Sequence, residues 1–199
     1  MGRSKRLFAG GSAGNEHVTA VLAALLLLLL AIEGATLLRL GSLLTVHAFV
    51  GMLLIPIVAL KLGSTGWRML RYYRRGEEYV RRGPPHIVVR VVLAPVIVLS
   101  TLVLFGTGVA LLALGETSGT IVGLHKASFV VWVAATALHV LSHILELPRV
   151  LRKRIPGAAL RVALVGASVA AGAFLAIATL PAADHLQDRA SARIGLDAE

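Results

Sequence analysis

Cysteine is absent from the 199 residues, and with it disulfides, thiolate nucleophiles, iron–sulfur ligation and cysteine-type zinc sites. Charge is scarce as well: 15% of residues are Asp, Glu, Lys or Arg, against 57% hydrophobic. A chain of this composition has lipid rather than water as its preferred solvent. Room for a soluble domain is also lacking, because five crossings at about 20 residues each leave only short connections. No nucleophile or acid–base pair argues for hydrolysis. The formal net charge of +10 would suggest nucleic acid in a soluble protein. Here the basic residues flank apolar runs, where they set topology, and no nucleic-acid partner is expected.

What is present is a series of five apolar runs, at 18–38, 43–62, 87–114, 120–147 and 158–180, each long enough to cross a hydrocarbon core of about 30 Å. The fold class read from them is all-α, an integral membrane bundle of five transmembrane helices. A signal peptide is the rival reading of the first run. It is set aside because the run exceeds an ordinary h-region and is followed by Thr-Leu-Leu-Arg without a small-x-small site. Runs one and two, and runs three and four, are joined by tight turns. A basic stretch at 63–86 joins two to three, with Pro84-Pro85 opening the third helix.

Of the 20 Lys and Arg residues, 16 lie in residues 1–17, in or beside the 63–86 stretch, or between helices four and five. Cytoplasmic flanks collect such residues. The expected topology is therefore a cell-membrane protein with a cytoplasmic N-tail (1–17), a cytoplasmic loop at 63–86 and an external C-tail (181–199). The mixed charge of that tail predicts a short disordered extension. Trp67, Tyr72, Tyr73 and Tyr79 read as an interfacial collar in contact with lipid headgroups.

Ionisable groups within spans are rare enough to mark function. His47 is fifth in the second run and His125 sixth in the fourth, both counted from the outer end, so they lie at nearly one depth. A six-coordinate haem takes this arrangement, one neutral imidazole from each of two helices. Gly51, one turn below His47, leaves room for a porphyrin edge. The competing reading has each histidine bonded to a neighbouring carbonyl and Gly51 as ordinary small-residue packing. His139 follows His125 by about 21 Å of helical rise and faces nearly the same way, as a second haem would need. Position 61, where its partner belongs, holds Lys61. Lys61 snorkels to the interface, or ligates iron as an amine, or yields to His86, whose level matches His143 better than His139.

The stretches HAFVG, KLGSTGWRMLRYY and LHKASFVVWVAATALHVLSH resemble those of the small bacterial membrane b-type cytochromes, the cytochrome b561 and ferric-reductase-like group, in an actinobacterial branch. The likeness covers roughly residues 43–147. It implies a four-helix haem-binding core plus one further helix, His47 and His125 as axial ligands of an outer haem b, and His139 as a possible ligand of an inner one. One haem is expected rather than two. It also implies electron transfer from a quinol or other membrane donor to a partner subunit or external acceptor.

Other constellations carry less. His139 and His143 are at i and i+4, but the intervening HVLSH lacks the glutamate of a zinc protease. His143 with Glu146 can bind a cation, and interfacial snorkelling explains the pair equally well. Glu33 needs a partner, supplied by Arg39, Lys126 or a water-filled vestibule, or else is protonated and structural. A protonatable carboxylate there can take up quinol protons. Two further functions stay open: a cation or proton transporter using Glu33, His125, His139 and His143, and a non-catalytic membrane subunit.

Overall fold

The first apolar run forms a helix, α1 (Gly11–Thr36). A 3₁₀ turn at Leu37–Arg39 then reverses the chain into α2 (Leu40–Tyr73). The reversal is sharpened by two residues outside helical geometry, Arg39 (φ −141°, ψ 47°) and Leu43 (φ −117°, ψ 19°). The computed structural model describes residues 11–75, 89–152 and 158–196. His86, Tyr79 and Pro84-Pro85 lie outside the described residues.

α1 and α2 pack as an antiparallel hairpin, because each carries an apolar stripe at helical spacing. Leu22, Leu54 and Ile57 are fully enclosed between them, with Val18, Leu26 and Val50 around that centre. A polar clamp fixes the other end of the pair. Asn15 Nδ2 donates to Ser64 O (3.1 Å), Ser64 Oγ donates to Asn15 Oδ1 (2.9 Å), and Lys61 Nζ donates to Thr19 O (2.8 Å). In lipid such groups must find protein partners, and these do.

A five-residue π-helical turn (Val89–Leu93) leads into α3 (Ala94–Leu114), and a turn at 115–119 returns the chain as α4 (Thr120–His143). Small polar residues line the α3/α4 seam: Ser100, Thr101 and Ser128 are buried, and Trp132 Nε1 donates to Thr101 Oγ1 at 2.9 Å. After the short α5 (Leu147–Leu151), α6 (Ala158–Ala178) packs along α2. Any side chain at Gly172 would run into the Leu53 carbonyl of α2, so glycine lets the two backbones meet.

α7 (Leu180–Leu196) continues in the direction of α6. Its Ala183 and Leu186 are buried against Met52 of α2 and Leu112 of α3. Gln187 Oε1 accepts from the amides of Leu44 (2.8 Å) and Thr45 (3.4 Å), while its Nε2 donates to Gly41 O (2.6 Å). These amides follow directly on the non-helical Leu43, where α2 resumes after its kink, and Gln187 supplies them an acceptor. The C-terminal segment expected as a disordered extension is thus a helix that caps α2. The stretch expected as a loop from 63 is likewise helical to Tyr73, and there Arg71 sits 5.9 Å over the Trp67 ring.

Among the described residues, four helical stretches are long and apolar enough to cross a membrane: Gly14–Tyr73, Val91–Leu114, Thr120–His143 and Ala159–Ala178. The first is the folded-back α1–α2 pair. Large apolar side chains such as Leu138, Leu141, Val162 and Phe174 point outward, a surface that water would penalise and acyl chains accept. The described residues are all helix and turn, without a strand, and the chain is a membrane protein.

Candidate functional site

α4 packs chiefly on α3, and α2 chiefly on α1, α6 and α7. Between the two groups lies a cavity of about 810 Å³ lined by α1, α2, α3, α4 and α7. Its walls are largely Leu, Val, Ala and aromatic side chains, among them Phe105, Phe129 and Trp132. The polar exceptions toward the end of the chamber that carries the 37–39 and 115–119 turns are Glu33, His47, Glu116, Thr117, His125 and Lys126. A large apolar chamber with a few convergent polar groups is the ordinary form of a cofactor site.

His47 and His125 reach into this chamber from opposite sides. Their ring centres are 6.4 Å apart and their planes cross at 89°. The partners at each ring point to Nδ1 as the nitrogen that carries a proton. On the α2 side, Thr36 Oγ1 donates to Glu33 O (2.6 Å), so its contact with His47 Nδ1 at 3.0 Å has the histidine as donor. Glu33 Oε1, also 3.0 Å from His47 Nδ1, is a second acceptor for the same proton. On the α4 side, His125 Nδ1 is 3.1 Å from the Leu104 carbonyl, which can only accept. Thr107 Oγ1 donates to Val103 O (2.7 Å) and accepts from His125 Nδ1 (3.0 Å).

Both imidazoles therefore carry Nδ1–H held by α1 or α3, and both keep a lone pair on Nε2. No hydrogen bond among the described residues takes up either Nε2. Metal-ligating histidines are held in this way, one nitrogen donating to an outer partner and the other free for the metal. Two imidazoles bound to one iron at about 2 Å each would have ring centres roughly 6 Å apart, matching the 6.4 Å observed. The chamber's apolar walls suit a porphyrin, and Lys126 and Thr117 near its mouth suit the porphyrin's carboxylates. The residues present fit a haem.

Gly51 and Gly108, among the glycines that line the same chamber, flank the two histidine ligand candidates. A Cβ at Gly51 would lie 3.7 Å from Glu33 Oε1, an ordinary contact, whereas a Cβ at Gly108 would press on His125 Cε1 at 3.2 Å. Thr107 and Gly108 thus act as neighbours on α3: one holds the His125 ring by its nitrogen, the other gives its carbon edge space. Nothing in the sequence marked this pair or Thr36, since hydroxyl and glycine residues are common in apolar helices.

Glu33 was expected to pair with Arg39, Lys126 or water, or else to be protonated and structural. Its partner is His47, and its second oxygen, Oε2, is buried without a hydrogen bond. An unpaired carboxylate in a span costs on the order of 3 kcal/mol, so the contact with His47 is its main compensation.

The inner candidates are not brought to this chamber. His139 and His143 stack edge-on with centres 4.9 Å apart, and His143 Nδ1 is 3.6 Å from Glu146 Oε2 near the end of α4. Both groups of that ion pair are at least half exposed. Lys61 spends its ammonium on Thr19 O. None of the three lines the chamber, and no cluster of three or more His, Cys, Asp or Glu side chains suited to a metal ion occurs among the described residues. No protein-family model, curated protein or solved structure matches the chain.

Proposed function

We propose that the protein is a membrane electron-transfer cytochrome in which His47 and His125 hold one haem b in the outer half of a five-helix bundle, the N-terminus being cytoplasmic and the C-terminus external. The observation that carries this reading is the pair of facing imidazoles, 6.4 Å between centres, each fixed as the Nδ1–H tautomer with Nε2 free. When bound, haem supplies a one-electron couple. α1 and α3 orient the two ligands through Thr36, Glu33, Thr107 and the Leu104 carbonyl. The apolar walls exclude water, and Lys126 offers a cation to the propionates. Electrons reach the site from a quinol or another membrane donor and leave to a partner subunit or external acceptor. In support of five crossings, α1 and α2 pack antiparallel along their lengths, as two passages within the longest apolar stretch would.

A proton or cation relay is less well supported, because His139 and His143 lie off the chamber that contains Glu33 and His125. Purified protein reduced with dithionite tests the proposal. Sharp low-spin haem bands in the reduced-minus-oxidised spectrum are expected, and a featureless visible spectrum from protein expressed with ample haem contradicts it.

A further inference from the structure

The two histidines are held by acceptors of different kinds. His125 Nδ1 gives its proton to a peptide carbonyl and a hydroxyl, both neutral. His47 Nδ1 gives its proton to a hydroxyl and to the Glu33 carboxylate, 3.0 Å away. No Lys or Arg pairs with Glu33 among the described residues, and its Oε2 is buried without a partner. As a carboxylate, this group directs its charge at one imidazole rather than sharing it with a cation. A carboxylate accepting the outer N–H of a ligand imidazole draws that proton toward itself and leaves the inner nitrogen richer in electron density. A richer ligand stabilises the more positive state of a metal.

We propose that Glu33 is a positioning residue that makes His47 a stronger, more anionic ligand than His125, and thereby holds the haem at a lower reduction potential than a site with two neutral acceptors would have. This rests on the reading that His47 and His125 ligate a haem. Thr36 is the orienting partner of the pair and Glu33 the electronic one. Thr36 Oγ1 donates to Glu33 O, so it accepts from His47 whether or not a carboxylate is present, and it keeps the ring in place when the charge is removed. The bent junction between α1 and α2 at Arg39 and Leu43 brings a residue of the first helix beside a ligand of the second.

The test uses full-length protein in detergent or lipid nanodiscs, with redox titration of the haem bands and ferric electron paramagnetic resonance. In Glu33→Gln the amide oxygen still accepts from Nδ1, so the haem is retained and low-spin. Its reduction equilibrium shifts about tenfold toward the ferrous form, a rise of about 59 mV for one electron. The g-value spread changes in the direction of a weaker axial ligand, a change that a distant charge does not produce. Thr36→Val keeps the carboxylate and stays near the wild-type potential. Should Glu33→Gln lose its haem, Glu33→Asp takes its place, with the carboxylate withdrawn by one methylene and a smaller rise expected. An unchanged potential in the charge-altered variant, or an equal shift in Thr36→Val, overturns the proposal while leaving the haem site intact. Loss of haem from both Glu33 variants assigns Glu33 to assembly and also overturns it. A wild-type protein without haem removes both this inference and the function it rests on.

Discussion

His47 and His125 face each other with ring centres 6.4 Å apart, although the helices that carry them pack mainly on other partners. The separation is maintained from outside the pair. α1 and α3 hold the two rings by Nδ1, and α7 packs over the chamber with Leu186 and Ala190 in its wall. Rings held in this way have less freedom left to lose, which lowers the ordering cost of binding a ligand.

Gly108 tests that organisation from the α3 side. A Cβ there already presses on His125 Cε1 at 3.2 Å, so Gly108→Val displaces the ring while leaving the Thr107 contact chemically possible. The expected result is a loss of haem affinity of about tenfold or more, with a shift from low-spin toward high-spin bands in the haem that remains. Haem titration of the purified variant measures it, and wild-type affinity contradicts it.

Gln187 joins the C-terminal helix to the first turn of α2 by three hydrogen bonds, to Leu44 N, Thr45 N and Gly41 O. Gln187→Ala uncovers those amides as loss of an N-cap does, and lowers stability by about 1 kcal/mol. The expected readout is a lower Tm in detergent, with the haem spectrum of the residual folded protein unchanged. A Tm equal to wild type indicates that α7 does not cap α2.

Lys61 is engaged with Thr19 O and does not line the chamber. Lys61→Met is expected to cost about 1 kcal/mol of stability through the lost hydrogen bond and to leave the number of haems at one per chain. Pyridine haemochrome against protein gives that ratio. Two haems in wild type and one in Lys61→Met would make Lys61 a ligand.

The clustering of Lys and Arg at one end of the helices predicts an orientation that reporter fusions check. Reporter fusions at the termini are expected to show the N-terminus in the cytoplasm and the C-terminus, beyond α7, outside. A C-terminal phosphatase active only inside the cell reverses the topology, and the His47–His125 level then lies near the inner face.

The equal depth of His47 and His125 was legible in the sequence because helical rise is constant: position from a span's end converts directly into depth. Which group each ring bonds was not legible. The partner of Glu33 depends on the rotation introduced by the 3₁₀ turn at Leu37–Arg39 and the non-helical Arg39 and Leu43, and no apolar pattern encodes that rotation. Thr107 and Gly108 escaped notice for a different reason, since neither has a side chain that advertises ligation. The C-terminal helix was obscured by its polar composition. Its spacing of Ala183, Leu186 and Ala190 on one face did carry the signal, and an amphipathic reading rather than a hydropathy one finds it. The continuation of α2 to Tyr73 was hidden in the same way, because hydropathy falls after Leu62 although no proline intervenes before Pro84.

Whether His47 and His125 ligate one haem together is read most directly from the reduced and oxidised spectra of His47→Ala and His125→Ala, each purified as folded protein. Each substitution alone is expected to abolish the six-coordinate low-spin signal, leaving high-spin haem or none. Wild-type low-spin spectra in both variants would contradict joint ligation.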